Sequence, residues 1–121
     1  GSADGLLDGV TIAHGYAQYG YGAGLLSEGV NLRVVDCVFL ANVAGTGGGG
    51  AHCTRGSVSF TECVFKSNEA QFGGGLLLAR AAGVSLDRCR FEDNSGTYSF
   101  GGGGIYTYYV GGLRLEPMAV R

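Results

Sequence analysis

The sequence predicts an all-β fold, a parallel β-helix (solenoid) of about 4 to 4.5 coils, with three short strands in each coil of about 26 residues. Two observations support this prediction. The phrase C-x-F-x-x-N occurs three times, and its cysteines fall 26 residues apart both times. A glycine run and a short apolar segment follow each copy, at residues 47–51, 73–76 and 101–105. A fixed period of this length, carried by apolar and β-favouring residues, is typical of a solenoid.

The strand that carries the phrase is expected to send two columns of side chains into the core. They are the cysteine column and the phenylalanine column: Cys37, Cys63 and Cys89, and Phe39, Phe65 and Phe91. Stacked strands lie about 4.8 Å apart, and parallel Cβ atoms at that spacing exceed the roughly 3.5–4.5 Å that a disulfide prefers. The cysteines are therefore predicted to be reduced thiols that fill the core. In the first coil, Val10 and Ile12 take the two positions.

Each phrase ends in an asparagine, at the point where the chain must turn. Asparagine tolerates the left-handed backbone conformation, and its amide can bond to the backbone or to its neighbours in a ladder. Asn42, Asn68 and Asn94 are therefore predicted to form a structural ladder at this turn. Gly15 has the same place in the first coil, as expected of a left-handed turn.

A third short strand precedes each phrase and alternates apolar, polar and apolar residues, the pattern of a half-buried strand. Its four copies begin at Leu32, Val58, Val84 and Leu113. The last copy arrives after 29 residues instead of 26, so the fourth coil is predicted to hold three extra residues, within 97–100 or 108–112.

Residues 6–121 are predicted to form a single parallel β-helix domain. Neither end shows a capping helix, and exposed β edges invite association. We therefore expect a fragment of a longer solenoid, or a homo-oligomer formed through the β-helix edges. Residues 1–5 are expected to be a disordered or tag-derived terminus, or half of an edge strand. A tag-derived origin is suggested by Gly1-Ser2, which resembles the scar left by tag removal.

Composition and charge narrow the function classes. The net charge of −2 does not favour nucleic-acid binding, which normally needs a basic face. No apolar run approaches the roughly 18 residues of a membrane helix, so we expect no membrane insertion. His14 and His52 have different repeat positions and no C-x-x-C pair occurs, so neither a metal nor another cofactor is expected.

The repeat resembles a known group of proteins. The paired F-x-x-N motifs (residues 39–42, 65–68 and 91–94) and Gly-Gly-apolar motifs (residues 49–51, 74–76 and 103–105) are similar to bacterial right-handed parallel β-helix repeats, especially those of chlamydial polymorphic outer-membrane proteins. The likeness covers about residues 6–107. It implies a right-handed β-helix and an extracellular or bacterial cell-surface passenger, often an adhesin.

Parallel β-helices also include polysaccharide-cleaving enzymes, whose sites need converging carboxylates. Asp36 and Glu62 share the position before the cysteine, but Arg88 fills it in the next coil, as in an ordinary surface ladder. No catalytic residue is therefore assigned. The alternative is a glycan-binding or polysaccharide-degrading β-helix whose catalytic residues are absent from this segment or lie outside it.

Aromatic residues in the loops are the better functional candidates. Tyr19, Phe72 and Tyr98 lie four residues past the turn, and Thr46 interrupts that column. The candidate ligand or partner surface comprises Tyr16, Tyr19, Tyr21, Phe72, Tyr98, Phe100, Tyr106 and Tyr108. A row of exposed rings about 4.8 Å apart is expected to bind a polysaccharide or a surface protein. Alternatively, the rings fold over the corner and shield the glycine-rich turn.

One outward column is unusually apolar for a solvated face and is a second candidate surface for homo-oligomerisation. It comprises Leu26, His52, Leu77 and Tyr106. Together, these features predict a non-enzymatic module of an extracellular or cell-surface protein that serves adhesion, display or self-assembly.

Overall fold

The chain forms a parallel β-solenoid of about 4 turns in the computed structural model, which describes residues 3–96, 104–108, 113–115 and 119–120. Eighteen strands lie in this part of the chain, and they form four parallel sheets. Successive coils each add one strand to a sheet, so neighbouring strands in a sheet come from neighbouring coils. We label the sheets A to D in the order in which the chain enters them.

Sheets A and B have five strands each, and sheets C and D have four. Sheet A comprises β1 (Ala3–Asp8), β5 (Val30–Val35), β9 (Ser57–Thr61), β13 (Gly83–Asp87) and β17 (Leu113–Leu115). Sheet B comprises β2 (Thr11–Ala13), β6 (Val38–Leu40), β10 (Val64–Lys66), β14 (Arg90–Glu92) and β18 (Ala119–Val120). Sheet C comprises β3 (Tyr16–Ala17), β7 (Val43–Ala44), β11 (Glu69–Ala70) and β15 (Ser95–Gly96). Sheet D comprises β4 (Leu25–Glu28), β8 (Ala51–Thr54), β12 (Leu76–Ala79) and β16 (Ile105–Tyr108).

This architecture confirms the predicted fold class, and it adds one strand to the predicted coil. Sheets A, B and D are the three predicted strands, whereas sheet C is built from strands of only two residues each. Two residues are too few to show an alternating pattern in the sequence. The strands of sheet C lie directly after the asparagine turn, in the segment that the sequence predicts as a loop, and for this reason they were not predicted.

A left-handed residue marks each corner between successive strands of a coil. At the corner between sheets B and C, the positive φ angles belong to His14, Ala41, Ser67 and Asp93. The left-handed residue thus comes one position before the asparagine, and the expected left-handed asparagine is wrong. Gly15 is also explained differently: a Cβ there would collide with the Ala23 carbonyl. Close backbone approach, not a positive φ, requires glycine at that position.

Stacked phenylalanines fill the interior of the solenoid. Phe39, Phe65 and Phe91 are fully buried, and their ring centroids lie 4.7 and 4.6 Å apart with nearly parallel planes. Phe60 packs edge-on against Phe65 at 5.4 Å. Ile12 is in register with Phe39 at one end of the column. Offset and edge-on ring pairs each add about 0.5–1.5 kcal/mol beyond burial, so like residues in successive coils stabilise the stack.

The asparagines form a hydrogen-bonded ladder beside this stack. The Asn42 backbone N–H and side-chain amide both donate to Asn68 Oδ1 at 3.0 Å. The Asn68 side-chain amide donates to the Phe39 carbonyl and to Asn94 Oδ1, both at 2.9 Å. Asn42 and Asn68 are buried, where polar groups need partners. The ladder supplies them.

The glycine runs face this ladder, which explains why the two motifs occur together in each coil. A Cβ added to Gly50 would lie 2.5 Å from the Gly75 carbonyl and 3.1 Å from Asn68 Nδ2. A Cβ on Gly75 would lie 2.7 Å from the Gly104 carbonyl. Only glycine lets the chain enter sheet D so close to both the next coil and the asparagine amides.

The two irregular regions of the sequence can now be placed. Residues 3–5, expected in a disordered or tag-derived terminus or in half of an edge strand, form the first half of β1 and pair with β5. In the fourth coil, Ser95 pairs with Glu69 at a spacing of 26, whereas Ile105 pairs with Leu76 at a spacing of 29. The three extra residues therefore lie between Gly96 and Ile105, not within 108–112.

Candidate functional site

The cysteines lie in the core and not at a reactive site. All four are free and buried. The Cys63 thiol contacts the Val34 carbonyl and the Cys89 thiol contacts the Phe60 carbonyl. Burial raises the pKa of the Cys53 thiol to about 12, and the hydrogen bond with Cys89, together with burial, raises the pKa of Cys63. The same hydrogen bond lowers the pKa of Cys89, but this thiol is also buried, and thiols enclosed in the core are poor nucleophiles.

The charged residues at the corner between sheets A and B form an ion-paired surface ladder. Arg88 lies 3.4 Å from Glu62 in the preceding coil and 3.3 Å from Asp87. These side chains are solvent-exposed or half-buried, and such pairs contribute about 0–1 kcal/mol. Within the ranges that the structure describes, no group of three or more His, Cys, Asp or Glu side chains is arranged to hold a metal ion.

The aromatic side chains of the loops do not form the regular row that the sequence predicts. Phe72 is in register with Gly47 and Tyr21, not with Thr46 and Tyr19. The reason is the loop between sheets C and D, which loses one residue in each successive coil from the first to the third. Tyr19 is instead 85% exposed. Tyr16 also points to solvent, on β3. Tyr98 and Phe100 lie outside the described residues, and Tyr108 is described only as the last residue of β16.

The outer face of sheet D is covered by these loop rings. Tyr21 lies against His52 with ring centroids 4.9 Å apart, and Phe72 lies 5.3 Å from Tyr106. Leu77 is buried between them although it is outside the main core cluster. The outward column of Leu26, His52, Leu77 and Tyr106 thus has the predicted register, but its two middle members are covered within the chain.

A groove of about 430 Å³ runs over this covered face. Aromatic rings and charged side chains share its lining: Tyr21, Phe72, Tyr106, His52, Glu28, Arg55 and Arg80. Its volume is within the range of about 300–1,000 Å³ that small-molecule sites occupy. Gly47 keeps the middle open, because a Cβ there would collide with Leu77 and press on Tyr21. The groove can therefore accept flat, partly apolar groups beside polar ones.

His52 is the buried polar residue of the groove. It is 8% exposed, and its Nδ1 has no hydrogen-bond partner among the described residues. Burial lowers the pKa of His52, while the nearby Glu28 carboxylate acts in the opposite direction. The imidazole is thus neutral at pH 7, and the positive charge of the groove comes from arginine.

The sequence prediction did not include the two arginines of the groove, Arg55 and Arg80. Each directly follows a strand of sheet D, and the residues before them, Thr54 and Ala79, are register partners. Both arginines are exposed and have similar left-handed φ angles of 55° and 53°. Their guanidinium groups therefore leave the solenoid at equivalent places, one coil apart. The signal in the sequence was an arginine one residue past each of these strands.

A second, larger depression lies on the outer face of sheet A, with a volume of about 730 Å³. It is lined by small polar and aliphatic side chains around Arg33, and none of the lining residues that the structure describes is aromatic. This surface offers hydrogen bonds but little area for packing, so the groove on sheet D is the better candidate site.

Fold and site together define the class of this chain as a parallel β-solenoid repeat protein with an aromatic groove along one sheet. Comparisons with family models, with curated proteins and with solved structures found no match. In the part of the chain that the structure describes, no helix is long and apolar enough to cross a membrane.

Proposed function

We propose that this chain is a non-enzymatic β-helix module of an extracellular or bacterial cell-surface protein, and that it serves adhesion by binding glycans. The observation that carries the proposal is the groove on sheet D, where Tyr21, Phe72 and Tyr106 surround an open space above a buried floor. Faces of aromatic rings pack well against the C–H faces of sugars, and tyrosine hydroxyls bond to sugar hydroxyls. The resemblance of the repeats to those of chlamydial outer-membrane passengers supports a surface location.

A non-enzymatic role is favoured by the arrangement of the acids. The Glu62 carboxylate is paired with Arg88 and that of Glu92 with Arg90, both away from the groove. Among the groove-lining residues that the structure describes, only Glu28 is a carboxylate, whereas glycoside hydrolysis ordinarily needs two. The groove is thus equipped to hold a saccharide but not to cleave it by the usual pair of acids.

Glycan-array binding with matched variants tests this proposal. We expect wild-type protein to bind a defined set of glycans, and Tyr21→Ala combined with Tyr106→Ala to reduce that binding at least tenfold, the effect of losing aromatic anchors. Tyr19→Ala is the matched control, because this tyrosine is exposed and outside the groove. Absence of binding to every glycan would reject the proposal, and release of shortened products would favour the polysaccharide-degrading alternative.

Self-assembly is a second candidate function, favoured by the first coil. Within residues 5–96 and 104–107, all the large exposed hydrophobic side chains belong to it: Leu6, Val10, Tyr16, Tyr19, Tyr21 and Leu26. Its strands pair on one side only within this structure. A free β edge beside exposed apolar side chains favours addition of further strands.

Light scattering after size-exclusion chromatography tests self-assembly. If a second copy covers the first coil, Leu6→Lys with Leu26→Lys will shift an oligomer to monomer, since charge on an edge opposes pairing. Thr11→Lys, at an exposed polar position of the same coil, is the control for added charge. A wild-type chain that stays monomeric at high concentration would contradict this second candidate.

A further inference from the structure

Two exposed arginines, Arg55 and Arg80, lie at one end of the groove. In the described ranges, Arg55 and Arg80 form no ion pair, although they leave the solenoid one coil apart, a spacing of about 4.8 Å. Like charges in adjacent strands destabilise one another. The corner between sheets A and B avoids this repulsion, because Arg88 follows Glu62 there and pairs with it.

An anion placed between the two guanidinium groups would relieve their repulsion. Guanidinium binds carboxylates through two parallel N–H···O bonds, with more geometric specificity than a lysine ammonium. His52 does not compete for this role, because burial lowers its pKa and keeps it neutral near pH 7. The positive charge of the groove therefore comes from the two arginines and does not change with pH over the physiological range.

We propose that the groove recognises an acidic saccharide, with a sugar carboxylate on Arg55 and Arg80 and a neighbouring sugar ring against the aromatic side chains. This inference rests on the proposed glycan-binding function and narrows its ligand class. The guanidinium groups lie at the same end of sheet D as Thr54, whose hydroxyl is a further hydrogen-bonding group in the lining.

Glu28 restricts where the acidic units can lie. It is in register with Thr54 but belongs to the first coil, where Gly29 replaces the arginine. Its exposed carboxylate repels a second sugar carboxylate and accepts hydrogen bonds from sugar hydroxyls. A glycan that alternates acidic and neutral units therefore fits the groove better than one in which every unit is acidic.

Calorimetric titration with a hyaluronan hexasaccharide, which alternates uronate and neutral amino sugar, tests the inference. We expect measurable binding that weakens at least tenfold when the carboxyl groups are reduced to alcohols, because two charge-assisted contacts are lost. Arg55→Gln with Arg80→Gln should weaken binding of the acidic hexasaccharide by a similar factor and leave the reduced one unaffected. Arg55→Lys with Arg80→Lys should restore part of the affinity.

Arg33→Gln serves as the control, because Arg33 is also exposed but lines the depression on sheet A. An equal loss in this variant would show non-specific charge attraction and overturn the proposal. Equal affinity for the acidic and the reduced hexasaccharide would also overturn it, while leaving glycan binding intact. Binding to neither hexasaccharide would overturn the acidic-saccharide assignment, and the glycan array then decides whether the proposed function survives.

Discussion

The interior of the solenoid and the outer face of sheet D follow opposite rules. Inside, the phenylalanine column of sheet B and the turn that follows it repeat the same residue from the second coil to the fourth: phenylalanine stacks on phenylalanine and asparagine bonds to asparagine. On the outer face of sheet D, four successive coils carry Leu26, His52, Leu77 and Tyr106. These columns repeat because each ring and each amide has to match its counterpart in the next coil. The exterior is free to vary, so a binding site can be built there without changing the solenoid.

Truncation of the central ring should break the interior most severely. We expect Phe65→Ala to lower the free energy of unfolding by about 3–5 kcal/mol, the range for a buried phenylalanine, because this ring contacts Phe39, Phe60 and Phe91. Urea denaturation followed by circular dichroism measures the change. Phe72→Ala is the control on the outside, where a smaller loss is expected since this ring is only half-buried. Equal losses at the two sites would contradict the contrast between interior and exterior.

Loss of one asparagine side chain from the ladder should cause the next largest decrease in the free energy of unfolding. Asn68→Ala removes the acceptor of two Asn42 donors and the donor to the Phe39 carbonyl. Each buried group left unpaired costs about 1–3 kcal/mol, so a total of about 3 kcal/mol or more is expected. The same urea titration of Asn94→Ala provides a comparison, and a smaller loss is expected because Asn94 is half-buried. A neutral Asn68→Ala substitution would show that the ladder is dispensable.

Replacement of His52 should stabilise the fold, in contrast to the two substitutions above, because His52 is a polar residue in the otherwise largely apolar outward column of sheet D. We expect His52→Leu to raise the free energy of unfolding by about 1 kcal/mol, since a buried Nδ1 without a partner is removed. The wild type should also lose stability as the pH falls below 6.5, the ordinary histidine pKa. The unfolded chain then binds the proton more readily than the folded one, whose His52 pKa is lowered, so stability decreases towards acidic pH.

Thermal unfolding of wild type and His52→Leu between pH 5 and 8 measures both effects, with the range chosen to span the titration of histidine. The difference between the two proteins should widen towards pH 5. A difference that does not change with pH would contradict the assignment of the effect to His52 protonation.

The smallest effect is expected for the cysteine thiols, which should hardly react with a thiol reagent while the chain is folded. All four cysteines are buried, and burial raises the pKa of Cys53 to about 12. We expect an aromatic disulfide reagent at pH 8 to label the native protein far more slowly than the protein in denaturant, where thiols titrate near 8.5. Rapid labelling of a native cysteine would place that thiol outside the core.

The sequence predicted the parts of the fold that repeat. The spacing of the cysteines and phenylalanines was enough to assign the inward columns, the parallel register and the number of coils. The sheet C strands were missed because two residues show no periodicity. The left-handed residue before Asn42, Asn68 and Asn94 was missed because Ala41, Ser67 and Asp93 share no side-chain chemistry.

The groove was harder to predict than the fold, because it depends on loop lengths that differ between coils. Tyr21 and Phe72 come into register only because the loop shortens from the first coil to the third. The sequence alone counted Tyr19 as the partner of Phe72. Side-chain positions counted from a fixed turn fail wherever a loop gains or loses a residue, whereas positions counted within hydrogen-bonded strands do not.

The most direct test of this contrast uses one double variant, Tyr21→Ala with Tyr106→Ala. Its glycan affinity and its unfolding midpoint are both measured, to show whether the exterior binds glycans while the interior maintains the fold. We predict that affinity for the glycans found on the array falls at least tenfold, while the midpoint moves much less than in Phe65→Ala. Undiminished affinity in this variant would contradict the assignment of binding to the groove on sheet D.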